Sequence, residues 1–234
     1  RTPMNAIVGI THLMEHESGD TEKMKSYIRK VQASSSHLLG LINDILDMSR
    51  IDSGKLTLAN DPFSLDNILD GIRMMMESEA QRKGLVFTLE KRIVHSSLIG
   101  DGIRLRQVLV NLLSNAFKFT PAGGNVYLRV TEEEGTEEEA AFTFRVIDTG
   151  TGITPEDQKR IFDSFEQVGT SYSKSQGTGL GLAISRNIVL KMGGELKVSS
   201  QPGEGSEFFF TVTLPLKNSA ETFACGQSVQ PKDK

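Results

Sequence analysis

A long apolar seam near the N-terminus most constrains how this chain can fold. Seven positions between residues 24 and 45 alternate in steps of four and three, the spacing of a coiled-coil or helical-bundle seam. They are Met24, Ile28, Val31, Ser35, Leu38, Ile42 and Ile45, and only the serine is polar. Leucine and methionine neighbours widen the stripe, so this helix should bury more than one flank, as in a four-helix bundle.

A shorter helical pattern over residues 4–14 precedes the seam helix, and a break follows at residues 18–20. The two helices predict an antiparallel hairpin, which cannot form a four-helix bundle alone. Two alternatives remain open from the residues. Either a homodimer supplies the other two helices, or the hairpin packs on the domain that follows it.

After Gly54 the pattern changes to a mixture of helix and strand signals. Ser64 is placed to cap a helix over residues 65–83, and Gly84 is placed to end it. Thr154, followed by a proline and two acidic residues, signals another helix start. The other predicted helices are residues 104–118 and 180–192, and the predicted strands are residues 85–91, 125–131, 141–148, 195–200 and 207–214.

These patterns predict an α+β chain with three parts. We expect a helical hairpin at residues 1–54, an α/β domain at residues 55–216 and a flexible tail or linker at residues 217–234. The tail is polar, and its single cysteine, Cys225, fits a reducing compartment because it has no internal disulfide partner.

The helix at residues 104–118 carries an unusual row of polar side chains. Gln107, Asn111 and Asn115 follow one another every four residues, and Lys118 extends the row by another turn, with Asp101 placed as the N-cap. A solvated helix face would normally carry charges. A row of three amides ending in a lysine instead suggests a site for a metal ion and phosphates.

Two glycine-rich segments add to this site. Asp148 ends an apolar strand beside Gly150 and Gly152, which let a ligand approach the backbone, and its carboxylate suits the amino group of a flat base. The second segment, residues 177–182, opens a helix and supplies backbone N–H groups for phosphate. It contains Gly177, Thr178, Gly179, Leu180 and Gly181.

The stretch before the second glycine segment, residues 169–176, has the composition of a lid that could close over a nucleotide, with Lys174 as its cation. Neither common phosphate loop matches. A dinucleotide fingerprint has the spacing G-x-G-x-x-G after an apolar strand, whereas this run is G-x-G-x-G after polar residues. A P-loop needs a second glycine before the lysine, which residues 169–175 lack.

Overall charge points away from nucleic acid and anionic membranes. Among 234 residues, 26 basic side chains oppose 30 acidic ones. No apolar run approaches the roughly 20 residues of a membrane span. We therefore expect a cytoplasmic fragment without direct membrane contact, which leaves open an upstream anchor in the intact protein.

Taken together, the motifs resemble the catalytic core of a sensor histidine kinase of the two-component type, with an ATP-binding domain of the GHKL type. The resemblance covers nearly the whole chain to residue 216. The matching segments are residues 1–5 for the end of the H box, 107–120 for the N box, 148–153 for the first glycine box, 161–165 for the F box and 177–182 for the second glycine box.

The resemblance implies a dimerising hairpin joined to an α/β sandwich that binds ATP and Mg²⁺. Asn111 would be a magnesium ligand, and Asn115 and Lys118 would contact metal or phosphate. Asp148 would accept a hydrogen bond from the adenine amino group, with Gly150 and Gly152 making room for the base. The second glycine box, with Gly177, Gly179 and Gly181, would hinge the lid and face the phosphates.

Two positions depart from the family pattern. The acceptor histidine should lie three positions before Arg1, and so should precede this chain. Thr2 matches the position that in many relatives orients water to dephosphorylate the partner.

The lid lacks the arginine that relatives often carry, so the identity of the cation that meets the γ-phosphate stays open, with Lys174 as the candidate. Phe162 and Phe165 would anchor the lid's entry or simply pack in the core.

Three functions stay open at this point. The resemblance favours an ATP-dependent protein histidine kinase whose partners are a second copy and a response-regulator receiver domain, separate or fused as in hybrid kinases. An ATPase of the topoisomerase or chaperone kind is disfavoured because Gln107 cannot act as the base that activates water. A module that binds nucleotide without turnover, or mainly dephosphorylates a regulator through Thr2, is the third.

Overall fold

The computed structural model describes residues 2–16, 20–133, 135–163 and 179–217. The chain begins with two packed helices, α1 (Thr2–His16) and α2 (Thr21–Asp52). Asp20 caps α2, because its carboxylate accepts hydrogen bonds from the backbone N–H groups of Glu22 and Lys23. The predicted hairpin is confirmed. Among the described helices, none is long and apolar enough to cross a membrane.

An α/β domain follows the hairpin. Its helices are α3 (Leu65–Lys83), α4 (Gly102–Phe119), α5 (Pro155–Gln158) and α6 (Gly181–Lys191). Its strands are β1 (Asp61–Ser64), β2 (Val86–Arg92), β3 (Ser97–Gly100), β4 (Asn125–Glu132), β5 (Glu139–Asp148), β6 (Lys197–Gln201) and β7 (Gly205–Pro215). Five strands form one sheet in the order β2-β4-β5-β7-β6, with β2 and β4 parallel and the other pairs antiparallel.

The core lies between this sheet and helices α3, α4 and α6. Alternate residues of the central strands point to it, and Phe142, Phe144 and Phe210 are fully buried there. The rings of Phe144 and Phe210 stack with centroids 5.0 Å apart. The opposite face carries ion pairs such as Arg145 with Glu207, 2.7 Å apart. The sheet is therefore covered on one side, which confirms the predicted α/β sandwich.

The predicted caps are confirmed. Ser64 accepts a hydrogen bond from the Asn67 N–H, and Gly84 ends α3 in the left-handed conformation. Thr154 caps α5 through the Asp157 N–H. The sequence did not predict the two-stranded antiparallel sheet of β1 and β3, in which Asp61 pairs with Gly100. Such four-residue strands are too short to show an alternating pattern.

The hairpin buries little of its apolar seam within one protomer. On α2, the seam residues Ile28, Ile42 and Ile45 are all exposed. In the described part of the chain, the last turns of α2 reach the α/β domain, where Met48 and Ile51 pack against its core. The alternative in which the hairpin packs on the following domain thus holds for the C-terminal end of α2.

Candidate nucleotide site

Helix α4 carries the predicted amide row and holds it in place by its own core packing. Asp101 caps the helix by accepting a hydrogen bond from the Arg104 N–H at 2.9 Å. The opposite face of α4 is anchored in the core by buried residues such as Leu109 and Leu113. Asn111, Asn115 and Lys118 are all half-buried. The row therefore lies at the edge of the core on a rigid helix, as a binding site requires.

Asn111 is fixed against helix α6. Its Nδ2 donates a hydrogen bond to Ser185 Oγ at 2.8 Å. Its Oδ1 faces the start of α6 so closely that a Cβ on Gly181 would lie 2.3 Å from it. Gly181 is therefore required for this close approach, and the side-chain oxygen of Asn111 is held beside the N-terminus of α6. Sequence reasoning missed Ser185, which has no motif of its own.

The start of α6 has the features of an anion site. The helix begins at Gly181 without a side-chain hydrogen bond from its N-cap residue, Leu180. N–H groups in the first turn of a helix attract negatively charged ligands. The Leu180 side chain is buried in the core, so only its backbone could face a nucleotide. Gly179 adopts a φ of 69°, which suits a glycine at the predicted hinge.

Asp148 ends β5 as a buried carboxylate, 6% exposed. Its Oδ1 accepts a hydrogen bond from the Gly150 N–H at 2.8 Å. Burial raises the pKa of Asp148 above the ordinary carboxyl value, against the lowering effect of hydrogen bonds from the backbone of Gly150 and Ser206. A buried acceptor at a strand end, held by backbone donors, can recognise a ligand amino group.

Glycines around Asp148 bring backbone segments unusually close together. A Cβ on Gly150 would lie 2.6 Å from both Asp148 Oδ1 and the Phe119 carbonyl oxygen. A Cβ on Gly152 would lie 1.9 Å from the Gln201 carbonyl oxygen. Gly205, the first residue of β7, has a φ of 105°, and a Cβ there would lie 1.9 Å from the Asp148 carbonyl oxygen. All three glycines are therefore needed for this close backbone packing around Asp148.

Helix α4 connects the two halves of the site. The Thr151 N–H donates to the carbonyl oxygen of Phe119, which places the loop after Asp148 against the last residue of α4. Asn111 lies eight residues earlier, about 12 Å along the helix. Lys118 lies between them, and burial lowers its pKa below the ordinary lysine value. The Asp148 end and the Asn111 end of the candidate site are thus joined by one helix.

The first amide of the predicted row contacts the hairpin. Gln107 Nε2 donates to Asp47 Oδ2 of α2 at 3.0 Å, and Gln107 Oε1 accepts from Arg104 Nη1 at 2.6 Å. The structure therefore engages the Gln107 side chain with Asp47 and Arg104, whereas Asn111 contacts α6. Spacing alone could not separate these roles, since the partner lies 60 residues away.

Several predicted site residues lie outside the part of the chain that the structure describes. They are Lys174, Gly177, Thr178 and Phe165. Thr2 is the first residue of α1, and its side chain is likewise not described. Phe162 is described, and it packs against the core, with its ring edge-on to Phe208 at 6.4 Å between centroids. The packing reading of Phe162 is confirmed.

Comparison with known proteins agrees with this geometry. Residues 100–218 match the family described as "Histidine kinase-, DNA gyrase B-, and HSP90-like ATPase". Residues 1–54 match the family described as "His Kinase A (phospho-acceptor) domain".

The chain is 43% identical over 217 residues to the sensor protein GacS of Pseudomonas syringae, covering 92% of this chain and 24% of that protein. It is 38% identical over 219 residues to the signal transduction histidine-protein kinase BarA of Escherichia coli, with the same two coverages. The chain thus spans about a quarter of the length of these relatives.

Among solved structures, full-length ShkA in complex with AMPPNP superposes with a TM-score of 0.71 at 31% identity, over 94% of this chain and 44% of that one. The histidine kinase AdeS of Acinetobacter baumannii shares the fold, with a TM-score of 0.62 at 24% identity. The chain therefore belongs to the histidine kinase-, DNA gyrase B- and HSP90-like ATPases and, with its phospho-acceptor domain, is the catalytic core of a histidine kinase.

Proposed function

We propose that this chain binds Mg²⁺-ATP in the α/β domain and transfers the γ-phosphoryl group to a histidine upstream of Arg1, for relay to an aspartate of a response regulator. The observation that carries the proposal is the contact between Asn111 and Gly181, which holds a side-chain oxygen against the N-terminus of α6. A metal ligand and a phosphate-binding helix end therefore meet at one point.

The donor chemistry fits magnesium. Mg²⁺ prefers oxygen ligands and keeps several waters, so it needs few protein ligands once the phosphates supply others. The amide oxygen of Asn111 is such a ligand, and we assign Asn115 as the second candidate. When bound, the ion would neutralise phosphate charge during transfer. Lys118 would add a positive charge at the same face, with Lys174, Gly177 and Thr178 contributing from the lid.

The base would bind at the other end of α4. The Asp148 carboxylate would accept a hydrogen bond from the adenine amino group, with Gly150 and Gly152 leaving space for the ring. An amino group that donates to a buried carboxylate is a specific contact, because a base with an oxygen in its place would leave the carboxylate without that donor. This pairing favours adenine over guanine nucleotides.

The hairpin would act as a homodimer. The exposed seam residues of α2, Ile28, Ile42 and Ile45, form a surface that a second hairpin would cover. The phospho-acceptor family match at residues 1–54 supports a histidine at this end of the chain as the acceptor. Thr2, next to that position, is proposed to orient water when the kinase dephosphorylates its regulator.

Phosphoryl transfer in the full-length protein tests this function. With ATP labelled at the γ-phosphate, we expect an acid-labile, base-stable label on the protein, lost when the upstream histidine is changed to glutamine. Asn111→Ala should abolish labelling, whereas Asn67→Ala, an exposed amide change on α3, should leave it unchanged. Stable labelling of a serine or threonine, or labelling that survives Asn111→Ala, would contradict the proposal.

A further inference from the structure

A buried ion pair links the hairpin to the first turn of α4. Arg104 Nη1 lies 2.6 Å from Asp47 Oδ2, and Arg104 Nη2 lies 2.9 Å from Asp47 Oδ1, so the contact is two-pronged. The Asp47 side chain is 9% exposed and the Arg104 side chain 19%. Two-pronged arginine–carboxylate pairs fix orientation as well as adding attraction.

Gln107 completes the cluster. Its amide donates to the same Asp47 oxygen that Arg104 Nη1 contacts, and its own oxygen accepts from that nitrogen. Burial alone would raise the pKa of Asp47, but hydrogen bonds from Arg104 and Gln107 together hold it below the ordinary carboxyl value. Asp47 is therefore ionised and paired at neutral pH.

The same turn of α4 holds the linker between hairpin and domain. Asp101, the N-cap of α4, accepts a hydrogen bond from the linker backbone at the Ala59 N–H, 3.0 Å from its Oδ2. Its other oxygen accepts from the Arg104 N–H. The N-terminal turn of α4 is thus tied to α2 on one side and to the linker on the other, about two turns before Asn111.

We propose that Asp47, Arg104 and Gln107 form a clamp that sets the orientation of the α/β domain on the hairpin, and that these are positioning residues for phosphoryl transfer. Helix α6, which holds Asn111, also contacts α2, so the clamp orients both helices of the site. Phosphoryl transfer depends mainly on positioning. The role of these residues in phosphoryl transfer rests on the proposed function. The clamp itself can be tested without any transfer step.

The test measures the distance between hairpin and domain in solution. In a Cys225→Ser background, cysteines at exposed Ser36 and Lys197 would carry spin labels for pulsed electron resonance. The labelled chain would be mixed with an excess of unlabelled chain, so that only the distance within one protomer is measured. We expect one narrow distance distribution in the parent chain and a clearly broadened one in Asp47→Asn. Arg104→Gln should broaden the distribution to the same extent. The double variant Asp47→Asn with Arg104→Gln should broaden it no further, because each single change already breaks the same contact. Arg104→Lys, which keeps the charge, should be intermediate.

Asp52→Asn is the matched control, since Asp52 is an exposed carboxylate on the same helix. It should leave the distribution narrow. The affinity of each variant for ATP should stay within about twofold, because the clamp residues lie off the proposed ligand contacts. Circular dichroism establishes that each variant is folded. Narrow, parent-like distance distributions in folded Asp47→Asn and Arg104→Gln would overturn the clamp, and so would equal broadening in Asp52→Asn. Either result would do so whatever the outcome of the phosphoryl-transfer experiment.

Discussion

The hairpin and the α/β domain bury their apolar side chains to very different degrees. Phe142 and Phe144 are 0% exposed in the domain, whereas Leu39 on α2 is 62% exposed and Ile45 57%. Burial of apolar area is the main favourable term in folding. The domain therefore completes its core within one protomer, while the hairpin leaves a surface that a second protomer can cover.

The largest expected effect separates these two regions directly. Phe142→Ala should lower the free energy of unfolding of the α/β domain by about 3–5 kcal/mol, because it opens a cavity in a closed core. Ile45→Ala, at protein concentrations where the chain is monomeric, should cost less than about 1 kcal/mol. Urea unfolding followed by circular dichroism measures both. Equal losses would show that the hairpin is packed as tightly as the domain.

A charge on the seam should break association without touching the nucleotide site. Ile42→Asp would bury a carboxylate in the proposed dimer interface, which should weaken dimerisation by about 100-fold, equivalent to roughly 3 kcal/mol. Sedimentation velocity over a range of concentrations measures this. Ser36→Asp, an exposed polar position on α2, is the control. Dimers of undiminished strength in Ile42→Asp would place the interface elsewhere.

The smallest effect concerns Asp148, the buried carboxylate at the proposed base-binding end of the site. Because burial raises the pKa of Asp148, the folded protein takes up this proton at a higher pH than the unfolded chain does. As pH falls through that pKa, adenosine affinity should weaken, since a protonated carboxyl is a poorer acceptor. Adenosine is the probe because it has no phosphate to titrate.

The stability of the folded protein depends on the protonation of Asp148 in the opposite direction to adenosine affinity, because a lower pH removes the cost of burying the charged carboxylate. Its burial cost is absent below the ordinary carboxyl pKa and appears as pH rises through the raised pKa. Asp148→Asn should remove both pH dependences, which calorimetry and thermal unfolding at several pH values would measure. An adenosine affinity that still weakens with falling pH in Asp148→Asn would assign the titration to another group.

Local signals explain most of what the sequence predicted correctly. Ser64, Asp101 and Thr154 are caps whose hydrogen bonds reach only three residues along the chain, so the nearby sequence determines them. The glycine segments are similarly local. Asn111 and Asp148 were predicted as site residues from their places on a helix face and at a strand end, and from the family pattern that they match.

Contacts between distant residues could not be predicted in this way. The pairing of Phe63 with Leu98 joins two short strands without a shared pattern. Asp47 and Arg104 lie 57 residues apart, and the sequence shows only an aspartate beside an apolar seam and an arginine at a helix start. Their pairing depends on how two domains meet, which a single sequence does not reveal. The contact of Gln107 with Asp47 was missed for the same reason.

Magnesium-dependent binding of ATP, measured by calorimetry on this chain, tests the central claim most directly. Asn111→Ala and Asp148→Asn change opposite ends of the site, and we expect each to weaken binding by at least about tenfold, or 1.4 kcal/mol. Asn67→Ala should bind like the parent chain. Binding that is absent from the parent chain, or as tight in both site variants as in the parent chain, would contradict the assignment of the nucleotide site to Asn111 and Asp148.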